Sequence, residues 1–389
     1  MLQLLWLLLP LAALSGWWIG RRGGRRSAKP VAPSGEYFQG LNYLLNEQPD
    51  RAIEVFTRMV ELDEDTVETH LTLGNLFRRR GEADRAVRIH QNLMARPSLA
   101  PEQRAAALVE LARDYQAAGL LDRAEALFVE ALEFSEHRPA ALRALLDIYQ
   151  QEKEWEKAIN TARTLQRETR AACGPMMAQF ACEQAEQGMR EHADPGRIRQ
   201  YLRRAFGYDR QCVRAALLQS DLEQAEGRWR AAIKAAQRVE SQDVDYIPEV
   251  LPRLEACYQA IGQPLQFRAE LERLLTRYPG VSVVMKLAEV IEAADGRKAA
   301  IEFLAEQLRE RPSVRGLDRL ISLNISDEDT DRRRQRDLRV LRELFAALLG
   351  DTLPYRCVDC GFEARQIHWQ CPGCRAWATI KPRRGLSGE

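Results

Sequence analysis

The chain has 389 residues, which is long enough for two or three ordinary domains or for one long repeat array with additional segments. Its hydrophobic fraction of 46% is that of an ordinary globular protein. Its 57 Lys and Arg residues balance 56 Asp and Glu residues, which gives a formal net charge of +1. A charge this close to zero gives no reason to expect nucleic-acid binding, and we predict no nucleic-acid partner.

The N-terminal segment is apolar from residue 2 to residue 20 and contains no charged side chain. At about 1.5 Å per residue, a helix of this length just crosses a hydrocarbon core of about 30 Å. Five cations follow at once, at Arg21, Arg22, Arg25, Arg26 and Lys29. The positive-inside rule then puts the terminus outside and the rest of the chain in the cytoplasm. We predict an uncleaved transmembrane anchor over 1–20, in preference to a signal peptide, whose charges would precede the apolar run.

A basic juxtamembrane linker over 21–35 is expected to lead into a repeating pattern that we place at 36–325. A small or apolar residue recurs in this pattern at intervals of 33 to 40 residues. The copies are Ala52, Ala86, Ala124 and Ala158, followed by the weaker Ile198, Ala232, Phe267 and Ala300. A period near 34 is typical of a solenoid of helix–turn–helix repeats, in which each hairpin buries its apolar face against its neighbours.

Larger residues stand at fixed distances from each small one. Nine positions earlier lie Tyr43, Phe77, Tyr115, Tyr149, Met189, Tyr258 and Ile291, with Glu223 as a departure. Four positions later lie Phe56, Phe128, Leu202, Leu271 and Leu304, with His90, Ala162 and Ala236 as departures. Five positions earlier, at helix ends where the left-handed conformation is needed, lie Gly81, Gly119, Gly227 and Gly262.

Two antiparallel helices need small residues where their axes come closest, and Gly40, Gly74 and Ala112 recur on the first helix of the early copies. The pattern resembles the tetratricopeptide repeat, most closely in its first four copies; the alternative is a generic helical bundle. We therefore predict an all-α fold, a tetratricopeptide-repeat superhelical solenoid. Residues 326–350 follow as a polar linker and an amphipathic helix, which we expect to cap the open end of the array.

The C-terminal module, 351–389, contains two C-x-x-C pairs, Cys357 with Cys360 and Cys371 with Cys374. Two such pairs supply a tetrahedral cage of four thiolates, which suits Zn²⁺ or a single iron ion. Four thiolates leave no open coordination position, so we expect no hydrolytic metal centre; the alternative is a redox-active dithiol. His368 is not expected to be a ligand.

The remaining cysteines are Cys173, Cys182, Cys212 and Cys257, which we expect to be isolated, buried and inert. Four aromatic residues surround the C-x-x-C pairs and are expected to form a small aromatic core: Tyr355, Phe362, Trp369 and Trp377. The module resembles a short rubredoxin-like knuckle, with Arg375 where a glycine commonly follows the second pair. The basic residues at 381–384 are expected to form a solvated tail; the alternative is an anion-binding patch.

Signatures of common enzyme classes are missing from the sequence: it has no GxGxxG after a strand, no Walker loop, no HExxH and no GxSxG. The scattered histidines are expected to be packing or surface residues rather than catalytic bases: His70, His90, His137 and His192. We predict that the protein is not an enzyme.

The order of anchor, repeat array and knuckle, with the ending from Trp377 to Leu386, resembles the lipopolysaccharide assembly protein B family of Gram-negative bacteria over the whole chain. The resemblance implies an inner-membrane regulator, facing the cytoplasm, that tunes lipopolysaccharide synthesis. It implies that a membrane-anchored AAA+ protease turns over the deacetylase committing precursor to lipid A, and that synthesis enzymes gather on the chain. It also implies one metal ion, usually iron, on the four cysteines of the module.

Two other functions stay open from the sequence. One is a redox or electron-transfer protein that uses the repeats as a docking platform. The other is a general scaffold for envelope assembly without a link to proteolysis. The sequence is also compatible with a homo-oligomer.

Overall fold

A computed structural model describes most of the chain from residue 35 onward. The described ranges are 35–46, 48–62, 67–97, 99–278, 280–325, 332–350, 353–385 and 388–389. The predicted anchor, 1–20, and all of the predicted linker except Gly35 lie outside them. Within the described ranges, every helix is too short or too polar to cross a bilayer.

The chain divides into two compact units, Met1–Arg138 and Pro139–Glu389. The described part of the first unit consists of three helical hairpins. Their helices are α1 (Gly35–Leu45), α2 (Pro49–Leu62), α3 (Val67–Arg79), α4 (Ala83–Met94), α5 (Pro101–Ala117) and α6 (Leu121–Ala131). Each helix packs against the next, and α3 also contacts α5, as expected when hairpins stack in register.

The second unit continues the hairpins and ends in a small β-sheet. Its helices are α7 (Arg138–Gln151), α8 (Trp155–Thr169), α9 (Gly174–Arg190), α10 (Pro195–Tyr208), α11 (Val213–Ala225), α12 (Trp229–Gln242), a 3₁₀ turn (Val244–Tyr246), α13 (Ile247–Ala260), α14 (Pro264–Arg277), α15 (Val281–Asp295), α16 (Arg297–Glu310), α17 (Val314–Asn324) and α18 (Arg332–Gly350). Its strands are β1 (Tyr355–Cys357), β2 (Glu363–Ala364) and β3 (Ile380–Pro382).

The recurring small positions lie where the sequence pattern puts them. All eight, from Ala52 to Ala300, are buried. A Cβ atom added to Gly40 would lie 2.6 Å from the Phe56 ring, and one added to Gly74 would lie 2.4 Å from the His90 ring. Because real Cβ atoms do not approach other atoms this closely, the helices of these hairpins can pack as they do only with glycine at both positions.

The left-handed helix ends are also confirmed. Gly81, Gly119, Gly227 and Gly262 all have positive φ, between 68° and 85°. Lys153 and His192 adopt positive φ of 59° and 53° at the corresponding turns of α7 and α9. These two non-glycine residues carry the conformational cost that glycine avoids elsewhere in the array.

His90 replaces the large apolar residue of other copies and is wholly buried. Its Nδ1 atom forms a short hydrogen bond with the equally buried Asp114 carboxylate. Arg78 donates to Asp114 Oδ1 at 2.7 Å and pairs with Glu110 at 2.6 Å. Burying a polar side chain is costly unless it is paired, and Nδ1 of His90 is paired in this way while Nε2 has no hydrogen-bond partner among the described residues. His90 is therefore a packing residue, as predicted.

The last helix, α18, contacts α17. However, Val340, Leu341 and Leu344 are 44% to 58% exposed. Leu341 and Leu344 were among the apolar residues expected to cover the end of the array, and the structure leaves them largely exposed. Leu338 and Phe345, which were expected to do the same, are half-buried.

Candidate metal centre

The C-terminal module is built on a three-stranded antiparallel sheet in the order β2-β1-β3. The central strand, β1, pairs Tyr355 with Ala364 on one side and with Pro382 on the other. It ends at Cys357, so the first C-x-x-C turn begins directly from the sheet. The predicted all-α class thus holds for the repeats and not for this module.

The first turn is closed by two backbone hydrogen bonds around its leading cysteine. The Cys357 N–H donates to the Phe362 carbonyl at 2.7 Å, and the Gly361 N–H donates to the Cys357 carbonyl at 3.0 Å. Gly361 has a φ of +79°, which a glycine adopts without strain. The chain therefore reverses just after Cys360 and brings both sulfur atoms of the pair to one side.

The second turn repeats this design. The Cys371 N–H donates to the Ala376 carbonyl at 2.9 Å, and the Arg375 N–H donates to the Cys371 carbonyl at 2.8 Å. Arg375 has a φ of +60°, so it takes the left-handed conformation although it is not glycine. Gly373 leaves room for the facing turn, because a Cβ atom there would make a tight contact of 3.3 Å with Cys360 Sγ.

The two turns face each other and bring all four predicted ligands together. The Sγ atoms of Cys357, Cys360, Cys371 and Cys374 lie within 4.8 Å of one another. Cys357 Sγ is 3.8 Å from Cys374 Sγ, and Cys360 Sγ is 3.6 Å from Cys371 Sγ. Sulfur atoms at the corners of a tetrahedron with metal–sulfur bonds of about 2.3 Å are about 3.8 Å apart. The four cysteines therefore form a metal-binding site that fits one ion.

The environment of the first cysteine favours its thiolate. Burial raises the pKa of the Cys357 thiol, but its hydrogen bonds with the Thr379 hydroxyl and with the backbone N–H groups of Cys360 and Asp359 outweigh burial and lower the pKa to about 6. Tetrahedral thiolate suits both Zn²⁺ and iron. When bound, either ion would hold the two turns together and supply folding energy to a module too small to bury a sizeable core.

The four aromatic residues of the module do not form one core. Tyr355 and Phe362 pack beside the buried Cys357, Cys371 and Ile380, as expected. Trp369 and Trp377, in contrast, contact helices of the repeat array. A core of four aromatic rings was therefore the wrong prediction, because half of the rings serve to hold the module on the repeats.

Trp377 fixes one side of the module. Its indole Nε1–H donates to Gln150 Oε1 of α7 at 2.9 Å. Its ring meets the Phe180 ring of α9 edge-on, with centroids 5.7 Å apart, and the Trp155 ring of α8 at 6.4 Å. An aromatic residue with one polar atom is well suited to such a contact, because the ring is buried while the N–H is paired.

Trp369 fixes the other side. It stacks on the Tyr246 ring with centroids 5.6 Å apart, and the Arg214 guanidinium of α11 lies 5.8 Å from its centroid. The Tyr246 hydroxyl donates to the Ile380 carbonyl of β3 at 3.1 Å. We call Gln150, Phe180, Arg214 and Tyr246 the docking residues of the array.

Ion pairs complete the attachment. The Lys381 ammonium lies 2.7 Å from Asp243 and 3.1 Å from Asp245, which also pairs with Arg384. The segment 381–384 is therefore engaged with the array and is not the solvated tail that its charge suggests. Sequence spacing contains no signal for these contacts, since the partners are more than 130 residues apart.

Comparisons with known proteins agree with both parts of this architecture. A family model for a rubredoxin metal binding domain matches residues 355–382, and a tetratricopeptide repeat model matches residues 69–105. Lipopolysaccharide assembly protein B of Escherichia coli (strain K12) is 40% identical over 390 residues, covering 100% of both chains. The Haemophilus influenzae protein of the same name is 37% identical over 392 residues, covering 98% of both. The chain therefore belongs to the lipopolysaccharide assembly protein B family.

Proposed function

We propose that this chain is a non-enzymatic adaptor of the bacterial inner membrane that regulates lipopolysaccharide synthesis. Residues 1–20 anchor it in a single pass, and the repeats and metal module lie on the cytoplasmic side. The chain delivers the deacetylase that commits precursor to lipid A to a membrane-anchored AAA+ protease, and it gathers other synthesis enzymes. The observation that carries this proposal is the 40% identity over the full length to a lipopolysaccharide assembly protein.

The architecture supports an adaptor. Stacked helical hairpins present extended surfaces on which partner proteins can bind. The metal module does not stand apart from these hairpins, since Trp369 and Trp377 bind it to α7, α9 and α11. We infer that Cys357, Cys360, Cys371 and Cys374 ligate one structural ion, which keeps both tryptophans in place.

The proposal is tested by the lifetime of the deacetylase in cells that lack their own family member. Protein synthesis is blocked and the remaining deacetylase is followed with and without this chain. We expect the chain to shorten the half-life several-fold, and the Cys257→Ser variant, which alters a cysteine outside the metal site, to do the same. An unchanged half-life in the presence of the folded, membrane-bound chain would contradict the proposal.

A second measurement separates the adaptor from a general assembly scaffold. The tagged full chain is purified from detergent-solubilised membranes and its partners are identified by mass spectrometry. The adaptor requires an AAA+ protease and the deacetylase among them. Recovery of synthesis enzymes without any protease would favour the scaffold instead.

A further inference from the structure

Two of the cysteines predicted to be isolated lie side by side in the array. Cys182 is in the middle of α9, and Cys212 is the residue that precedes α11. Their Sγ atoms are 3.8 Å apart, and both side chains are at most 2% exposed. The prediction of isolated thiols is thus wrong for this pair, which the spacing of 30 residues could not reveal.

We propose that Cys182 and Cys212 form a redox-active dithiol, which a hydroperoxide converts to a disulfide between α9 and α11. The sulfur atoms need to approach from 3.8 Å to about 2.05 Å, a shift that side-chain rotation and a small helix movement can supply. A disulfide in a reducing compartment is typically transient and regulatory rather than structural.

Cys212 is the thiol that is poised to react. It stands at the N-terminus of α11, where the first backbone N–H groups and the helix dipole favour an anion. The hydrogen bond from Cys182 and the Ala215 N–H lower the pKa of Cys212. With a smaller contribution from the Arg214 guanidinium, they outweigh burial and the charge of Asp209, which raise it. Arg214 is itself buried and held by Glu183 at 2.7 Å.

Of the two cysteines, Cys212 is the one that borders a cavity, although its side chain is only 2% exposed. It lines an open cavity of about 1010 Å³ between the metal module and the array, whose wall also includes Met176, Trp369 and Trp377. Cys182 is not part of this wall. A hydroperoxide in this cavity lies beside Cys212 rather than Cys182, so we expect oxidation to begin at Cys212 when small movements expose its sulfur, with Cys182 placed to complete the disulfide.

The reaction balances with hydrogen peroxide as the only oxidant. The Cys212 thiolate attacks one peroxide oxygen, the O–O bond breaks, and hydroxide leaves to take up a proton, so that Cys212 becomes a sulfenic acid. The Cys182 sulfur then attacks the Cys212 sulfur, the S–O bond breaks, and water leaves with the Cys182 proton. Two thiols and one peroxide give one disulfide and two waters.

Disulfide formation would act on the metal module because the same two helices hold its tryptophans. Helix α9 carries Phe180, which contacts Trp377, and α11 carries Arg214, which lies over Trp369. Drawing the two helices together changes the spacing of these docking residues. Oxidation is therefore expected to alter the attachment of the module without touching its metal ligands.

The test uses the full, metal-loaded chain in the Cys173→Ser background, which leaves Cys182 as the only cysteine of the tryptic peptide 171–190. The chain is treated with stoichiometric hydrogen peroxide, quenched, alkylated after unfolding and digested with trypsin. We expect a peptide that links 171–190 to 211–214, lighter by two hydrogen atoms than the sum of the reduced peptides and lost on treatment with dithiothreitol. Hydrogen exchange in 369–382 should differ between the oxidised and reduced chains.

Matched variants define the outcome. Cys182→Ser and Cys212→Ser should each abolish the linked peptide, whereas Cys257→Ser should retain it, because Cys257 lies in neither peptide. Burial and the charge of Asp221 raise the pKa of the Cys257 thiol to about 11, so it should not react in place of Cys212. Metal content is measured before and after oxidation and should not change. Absence of the 171–190 to 211–214 link, or a link from Cys212 to Cys371 or Cys374 in its place, would overturn the proposal. If a serine variant fails to fold, the linked peptide of the Cys173→Ser chain still decides.

Discussion

Trp377 and Gln150 are 227 residues apart in the chain and share a hydrogen bond of 2.9 Å. Trp377 lies three residues after Cys374, the last cysteine of the metal site, and Gln150 lies at the end of α7. The bond thus ties the second C-x-x-C turn directly to a repeat helix. The metal module is for this reason part of the second unit and not a separate appendage.

Substitution of Trp377 should loosen the module while leaving the metal bound. Trp377→Phe keeps a ring but leaves Gln150 Oε1 unpaired, which should cost about 1 kcal/mol. Trp377→Ala also removes the contacts with Phe180 and Trp155 and should cost about 2–4 kcal/mol. Hydrogen exchange of backbone amides in 355–382 measures both effects, and protection should fall in the order wild type, Phe variant, Ala variant.

Metal content is the control for these variants. Both should retain one ion per chain, because neither changes a thiolate. Loss of the ion from Trp377→Ala at neutral pH would show that the ring belongs to the metal module's own core and would contradict its docking role.

Removal of a thiolate ligand, unlike substitution of Trp377, should cost the module its metal ion. Cys371→Ser removes one of the four sulfur ligands. The module should therefore lose most of its metal-binding free energy, which is about 10–16 kcal/mol in zinc-finger peptides. We expect 355–382 to lose hydrogen-exchange protection while α3 to α6 keep theirs. The Cys257→Ser variant, which changes a buried cysteine of α13, should bind metal like the wild type. A Cys371→Ser chain with a fully protected module would show that metal is dispensable for its fold.

Much of this architecture could be predicted because it is encoded locally. The period of small residues, the glycines at helix ends and the C-x-x-C pairs each follow from the conformation of a few neighbouring residues. Arg375 shows the limit of such rules, since it adopts the left-handed conformation without being glycine.

Contacts between distant residues could not be predicted in the same way. Nothing in the spacing of Trp369 and Trp377 distinguishes a ring in the module's core from a ring on its surface. Likewise, His90 is only a departure from the repeat until Asp114 of α5 is seen to pair with it. These features depend on which hairpins become neighbours, which the folded structure alone specifies.

The close approach of α1 and α2 predicts the effect of adding one methyl group. Gly40→Ala places its Cβ atom 2.6 Å from the Phe56 ring and should destabilise this hairpin by about 1–3 kcal/mol. In the Phe56→Leu background, Gly40→Ala should destabilise the hairpin clearly less, since the clashing ring atoms are gone. Gly207→Ala is the control, because a Cβ atom there meets nothing within 4 Å and alanine favours the helix. Hydrogen exchange of the backbone amides in each hairpin measures its local stability. If Gly40→Ala destabilised the hairpin equally with and without Phe56→Leu, the close approach of Gly40 to the Phe56 ring would be refuted.

Deletion of residues 1–20 should give a folded array that no longer acts in the cell. The first repeat helix begins at Gly35, after the deleted segment, and we expect the hairpins to bury their apolar faces against one another without it. Without tethering, however, the effective concentration of the chain near a membrane-bound partner falls steeply. Circular dichroism should match the wild type, the chain should leave the membrane fraction, and the deacetylase half-life should lengthen. Full activity of the truncated chain would show that the segment is dispensable.

Degradation of the deacetylase in a reconstituted system tests the adaptor role of the chain most directly. The AAA+ protease and the full chain are placed together in lipid vesicles, with the chain loaded with zinc alone and its metal content verified. We predict that the chain accelerates degradation several-fold, that iron-loaded chain does so equally, and that Trp377→Ala is weaker. A degradation rate that is the same with and without the folded, zinc-loaded chain would contradict the account.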